Sequence, residues 1–106
     1  MQIMRIKRND TSPALEYRLS IYSSGSGVLA GASARFHMKS RAGTMVVDAA
    51  AVVSDADGIL QYLWDAADTA TAGNYDAEFE VTYGDSTVET FPNSEHIKVI
   101  IAADLA

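Results

Sequence analysis

Gly73-Asn74-Tyr75-Asp76-Ala77-Glu78-Phe79-Glu80-Val81-Thr82-Tyr83-Gly84-Asp85-Ser86-Thr87-Val88-Glu89-Thr90-Phe91-Pro92-Asn93 alternates apolar side chains with acidic or polar ones. Period-two alternation places one set of side chains on each face of an extended strand. Gly84-Asp85-Ser86 interrupts the pattern with turn-forming residues, a short second strand follows, and Pro92-Asn93 stops it. The stretch therefore predicts a β-hairpin.

The same pattern extends through the chain. Gln2 to Lys7 alternates and reads as a short first strand, on an edge where charged residues discourage stray pairing. Asn9 to Pro13 has turn composition. Leu15, Tyr17, Leu19 and Ile21 alternate with Glu16, Arg18, Ser20 and Tyr22 as a half-buried strand, which Ser23 to Gly27 breaks as a flexible loop. Ala34, Phe36 and Met38 alternate with Arg35, His37 and Lys39. Thr44 to Val53 reads as a strand, although Ala49-Ala50-Ala51 would also suit a helix. Ile59 to Trp64 fits both periods. The turn signal at Ser54 to Gly58 favours a strand there, with a loop or short helical turn through Asp65 to Ala72. Ile97, Val99 and Ile101 form a closing strand.

Seven to eight short antiparallel strands in 106 residues predict one all-β domain spanning residues 1–106, a β-sandwich or small barrel. Asp68, Gly73 and Tyr75, with Ala77 two residues on, favour the immunoglobulin-like sandwich. In that fold a tyrosine opens a strand, and its hydroxyl ties back to the preceding loop.

Composition excludes several classes. An apolar fraction of 48% is that of a folded globular chain, although much of it is alanine, so a thin core is expected. The absence of cysteine rules out disulfides, thiolate metal ligands and cysteine nucleophiles. The start, Met1 to Arg5, has no long apolar segment, so neither a signal peptide nor a membrane span is expected. A net charge of -6 argues against phosphate-backbone binding. Basic residues gather at Arg5, Lys7, Arg8 and Arg18, and again at Arg35, Lys39 and Arg41. They read as solvated strand faces, with Arg5, Lys7 and Arg18 the candidates to meet an acidic partner. Tyr22 points outward in the alternation and is the aromatic interface candidate. Trp64 and most tyrosines are expected in the core.

No catalytic, cofactor or metal site is predicted. Gly31-Ala32-Ser33-Ala34-Arg35 lacks the second glycine of a nucleophile elbow and leads into a strand. Asp55-Ala56-Asp57-Gly58 opens like a calcium loop but turns apolar at Ile59 and Leu60. His37 and His96 lie in strands opposite their apolar neighbours and read as surface histidines.

Several segments together resemble a known family. Asp10-Thr11-Ser12-Pro13 before an alternating strand, Gly31 to Lys39, Asp57-Gly58 through Tyr62 and Trp64, Gly73 to Thr82, and Thr90-Phe91-Pro92-Asn93 look like the N-terminal domain of phage baseplate upper proteins. In that family the domain heads a longer chain and a glycine precedes the position of Asp10. Here the chain ends at Ala106 and carries Asn9, so a free-standing tail or head component is an expectation. The resemblance implies an immunoglobulin-like, non-enzymatic structural protein of a phage or prophage tail or baseplate. It would assemble in the host cytoplasm and pair with copies of itself or with another tail protein. The competing reading from the residues is a binding or adhesion module for a carbohydrate or surface protein.

Overall fold

In the computed structural model, which describes residues 1–19, 29–55 and 57–105, eight strands and one 3-10 turn follow one another along the chain. They are β1 (Ile3–Lys7), β2 (Leu15–Arg18), β3 (Ser33–Ser40), β4 (Met45–Ser54), β5 (Ile59–Tyr62), the turn Ala66–Thr69, β6 (Gly73–Thr82), β7 (Val88–Phe91) and β8 (Ile97–Ala102). Pairing follows the path β1-β8-β6-β3-β4-β5-β2, with β7 beside β6. The expected hairpin is β6 and β7. Its turn is closed by Tyr83 N–H on Thr87 O at 2.8 Å, and by the Asp85 carboxylate, which accepts from the Thr87 amide at 3.0 Å and hydroxyl at 2.6 Å. The left-handed residue of that turn is Ser86 (φ 72°) rather than Gly84.

All pairs are antiparallel except β1 with β8, which is parallel. The consecutive strands that pair, β3 with β4, β4 with β5 and β6 with β7, are joined by short turns that force reversal. β1 and β8 stand near opposite ends of the chain, and no hairpin constrains their direction.

β4 carries the closure. Its first part, to Ala51, pairs with β3; Val52 to Ser54 pair with β5 on the other edge. Small side chains at Ala49, Ala50 and Ala51 sit where the strand passes from one layer to the other, so the alanine run that suited a helix serves a bending strand. The register slips between Met38 and Lys39, whose partners are Val47 and Met45, leaving Val46 as the extra residue of a bulge. This slip explains why Met45 and Val46, adjacent in sequence, are both exposed. The all-β sandwich expected from the alternation is the fold observed. Its closure is nearly barrel-like because β4 serves both layers, whereas an immunoglobulin sandwich keeps its two sheets apart.

The inward faces make one core running from Met4 to Ile101. β3 contributes Ala34, Phe36 and Met38, β6 contributes Tyr75, Ala77, Phe79 and Val81, and β8 contributes Ile97, Val99 and Ile101. Each fully buried large apolar side chain contributes about 1.5–3 kcal/mol. Phe36 lies at the centre: its ring stacks on Tyr62 (4.4 Å, 13°), meets Trp64 edge-on (5.6 Å) and tilts against Phe79 (5.1 Å). The expectation that Trp64 is core holds. The ambiguous segment resolves as strand to Tyr62, with the helical turn following at Ala66. His96 precedes β8 rather than lying within a strand. The loop expected at Ser23 to Gly27, and Tyr22, lie outside the described residues.

Candidate protein-interaction surfaces

The outward positions of the β4-β3-β6-β8 sheet carry charge in rows set by the strand register. In one row Asp48, His37 and Glu78 are direct cross-strand partners. In a second, Arg35 faces Glu80, and in a third Lys39 faces Asp76, which faces Lys98. Cross-strand neighbours stand within reach of each other's side chains, and opposite charges in such pairs stabilise the ladder. Arg35 bonds the Asp48 carboxylate through Nε at 3.0 Å and the Asp48 carbonyl through Nη2 at 2.9 Å. His37 Nε2 stands 3.3 Å from the same carboxylate, and its Nδ1 is 3.7 Å from Glu78, whose other oxygen is 4.0 Å from His96 Nε2. The hydrogen bond from Arg35, aided by the charges of Arg35 and His37, holds the Asp48 carboxyl below the ordinary carboxylate range. Lys98 does the same for Asp76 through a 2.7 Å hydrogen bond. Beside these rows lies a hollow of about 370 Å³ lined by His37, Lys39, Arg41, Glu78 and His96 among others.

A second polar group ties the end of the sandwich. The Tyr62 hydroxyl donates to Asp68 at 2.6 Å, and Asp68 also accepts from the Asp65 amide at 2.9 Å. Burial first, then the bond to Asp68 and the nearby carboxylates, pushes the Tyr62 hydroxyl far above its usual value. Tyr75 donates instead to the Thr71 carbonyl four residues upstream, at 2.6 Å. Of the three residues singled out for a corner, Asp68 thus serves Tyr62, and Tyr75 closes its own loop. Gly73 extends into β6 with its missing side chain facing the Tyr75 ring, 3.6 Å away.

The third surface is the seam between the two end strands of the pairing path. Arg5 and Lys7 on β1 and Arg18 on β2 are all exposed. The Gln2 side chain crosses from just before β1 to the Glu16 carbonyl of β2 at 2.6 Å. Arg18 donates to the Asp57 carbonyl at 3.1 Å, and no ion pair to Arg5, Lys7 or Arg18 is formed among the described residues. The structure therefore brings Arg5 and Lys7 together on one strand face and sets Arg18 on the opposing strand.

The acidic turn before β5 serves the fold. Asp55 accepts from the Leu29 amide at 2.9 Å, and Asp57 from the Ser54 hydroxyl at 3.0 Å. Among the described residues no group of three or more His, Asp or Glu side chains is placed to hold a metal ion. No helix among them is long and apolar enough to cross a membrane. Sequence reading missed the charge rows. Each row was written in the alternation, but its members are as far apart as Lys39 and Lys98 in the chain, and only the register joins them.

Comparison with known proteins adds three findings. A family model described as the BppU N-terminal domain matches residues 6–103. No curated protein matches the chain. Among solved structures, the crystal structure of CopC from Methylosinus trichosporium OB3b is similar with a TM-score of 0.60 at 11% identity. The match covers 100% of this chain and 89% of that one, and at this identity the likeness is one of fold.

Proposed function

The chain belongs to the BppU N-terminal domain family of phage baseplate upper proteins, and on that premise we propose that it is a non-enzymatic assembly module, a single domain over residues 1–106 that joins parts of a phage tail by protein–protein contact. The family match over residues 6–103 makes the chain a phage baseplate component. The continuous core from Met4 to Ile101 supports the single domain. Support for assembly rather than catalysis comes from the outer-face carboxylates Asp48 and Asp76, each of which is paired with a cation across the sheet, Arg35 and Lys98 respectively. Virion parts are arranged symmetrically, so the partner is another tail protein, a further copy of the chain, or both. The chain assembles in the host cytoplasm and ends in the particle.

Mass spectrometry of particles purified after prophage induction tests this reading. Recovery of the chain in fixed ratio to other tail proteins is the expected result. Its absence from intact particles, with the chain free in the lysate, would overturn the structural role and favour a binding or adhesion module.

A further inference from the structure

We propose that the Arg5–Lys7 end of β1 is a docking edge for an extended acidic segment of a neighbouring virion protein, which adds to the sheet as a further strand. The inference rests on the assembly reading above and names the chemistry of the partner.

β1 ends the pairing path, and β8 occupies one of its edges. The Gln2 carbonyl accepts from Lys98 N–H at 2.9 Å, and Arg8 N–H donates to the Ala102 carbonyl at 2.8 Å. Backbone groups alternate sides along a parallel ladder, so Gln2, Met4, Ile6 and Arg8 address β8, and Ile3, Arg5 and Lys7 address the free edge. Of those free-edge groups, the Lys7 carbonyl accepts from Asp10 N–H at 3.1 Å. No described residue bonds the Arg5 backbone on that side. The edge borders a groove of about 380 Å³ whose charged lining is Arg5 and Lys7 against one carboxylate, Asp10, with Ser12, Pro13 and Ala102 beside them.

The same period of two brings the Arg5 and Lys7 side chains to one outward face, beside Ile100 and Ala102 of β8. A strand added along β1 would set its own side chains opposite these two cations at every second residue. The complementary sequence carries Asp or Glu at alternate positions. Charge selects the class of partner. The chain as a whole is -6, which repels a phosphate backbone, while this edge holds two cations with no ion pair among the described residues. A second copy is disfavoured by topology. The chain's own run of alternating carboxylates, Asp76, Glu78 and Glu80, lies on β6, which is already paired on both edges.

The test uses a prophage lacking this gene, complemented with the full chain or its variants, and reads incorporation into particles by mass spectrometry. R5E/K7E is expected to lower incorporation by about tenfold or more, because like charges now face each other. R5Q/K7Q is expected to lower it less. A42E/T44E, on the exposed turn after β3, reaches the same net charge as R5Q/K7Q and is expected to enter particles as the parent does. Zero-length carbodiimide cross-linking of wild-type particles should join Lys7 to an Asp or Glu of a different virion protein. Normal incorporation of R5E/K7E with an unchanged melting temperature would overturn the docking edge and leave the assembly reading standing. So would cross-links from Lys7 only to copies of this chain. Absence of the wild-type chain from particles would overturn both.

Discussion

Phe36→Ala is the perturbation that most directly probes the closure of the two layers. Phe36 is fully buried and touches the rings of Tyr62, Trp64 and Phe79, which come from both layers. A buried aromatic side chain covers about 150–250 Å². Truncation to alanine forfeits most of that area, about 3 kcal/mol at about 25 cal/mol per Å². The cavity left behind raises the cost to about 3–5 kcal/mol. Phe91→Ala is the internal comparison. Phe91 is on the short strand β7 and makes one tilted ring contact, with Tyr17 at 6.0 Å, so about half that cost is expected. Urea unfolding followed by Trp64 fluorescence reads both, since the single tryptophan is 5% exposed and packs edge-on against Phe36 and Tyr62. At a slope of about 1.5 kcal/mol per M, Phe36→Ala moves the midpoint down by about 2–3 M. A domain of this size is stable by about 5–15 kcal/mol, so the variant could lie close to its transition in buffer. A cost below about 2 kcal/mol, or one no greater than that of Phe91→Ala, would refute the placing of Phe36 as the contact that joins the layers.

Tyr75→Phe removes the 2.6 Å bond to the Thr71 carbonyl and is expected to cost about 0.5–1.5 kcal/mol in the same urea assay, with no change in Trp64 emission. The tyrosines set an alkaline limit. Burial and the bond to Glu89 push the Tyr83 hydroxyl up to about 12, and burial and Asp68 raise Tyr62 further. The folded form thus holds these protons more tightly than the unfolded one. Stability is complete below the ordinary tyrosine value of 10.0 and falls as pH rises above it. Thermal melts across that range should show the fall, and Tyr62→Phe should flatten it; a melting temperature independent of alkaline pH would contradict the two bonds. Asp76 works in the opposite sense. Its folded value is lowered by Lys98, so its contribution is present above the ordinary carboxylate range and is lost on acidification through the lowered value. Asp76→Asn should make acid unfolding less steep, and an unchanged acid limb would mean that the 2.7 Å pair adds nothing to stability.

Most of the strands were legible in the chain because burial on one face of an extended segment writes itself as a period of two. Phe79 between Glu78 and Glu80 announces its own orientation, and so does Phe36 between Arg35 and His37. The strand Ile59 to Tyr62 was legible only beside a helical alternative, and the turn after it only as a loop or short helical turn. Both periods fit the apolar residues there, and the contacts that decide it, Tyr62 to Asp68 and Phe36 to Tyr62, are tertiary. Local pattern likewise determined the hairpin at Gly84 to Thr87, the family resemblance and the outward position of Arg5 and Lys7.

Pairing was decided elsewhere. Nothing in the alternation of β1 says that it lies parallel to β8, because parallel partners need no turn between them and leave no turn signal. The passage of β4 from one layer to the other, and the bulge at Val46 that exposes two adjacent apolar residues, are settled by the neighbours on each edge. The row Asp48, His37 and Glu78 exists because two registers align three strands, and a slip of one residue in either would turn the row toward the core. Outside β4, the sequence by itself determined which strand residues face inward, since that follows from local period and hydrophobicity. The tertiary structure alone decided which outward residues meet, because register and strand order depend on contacts between segments far apart in the chain.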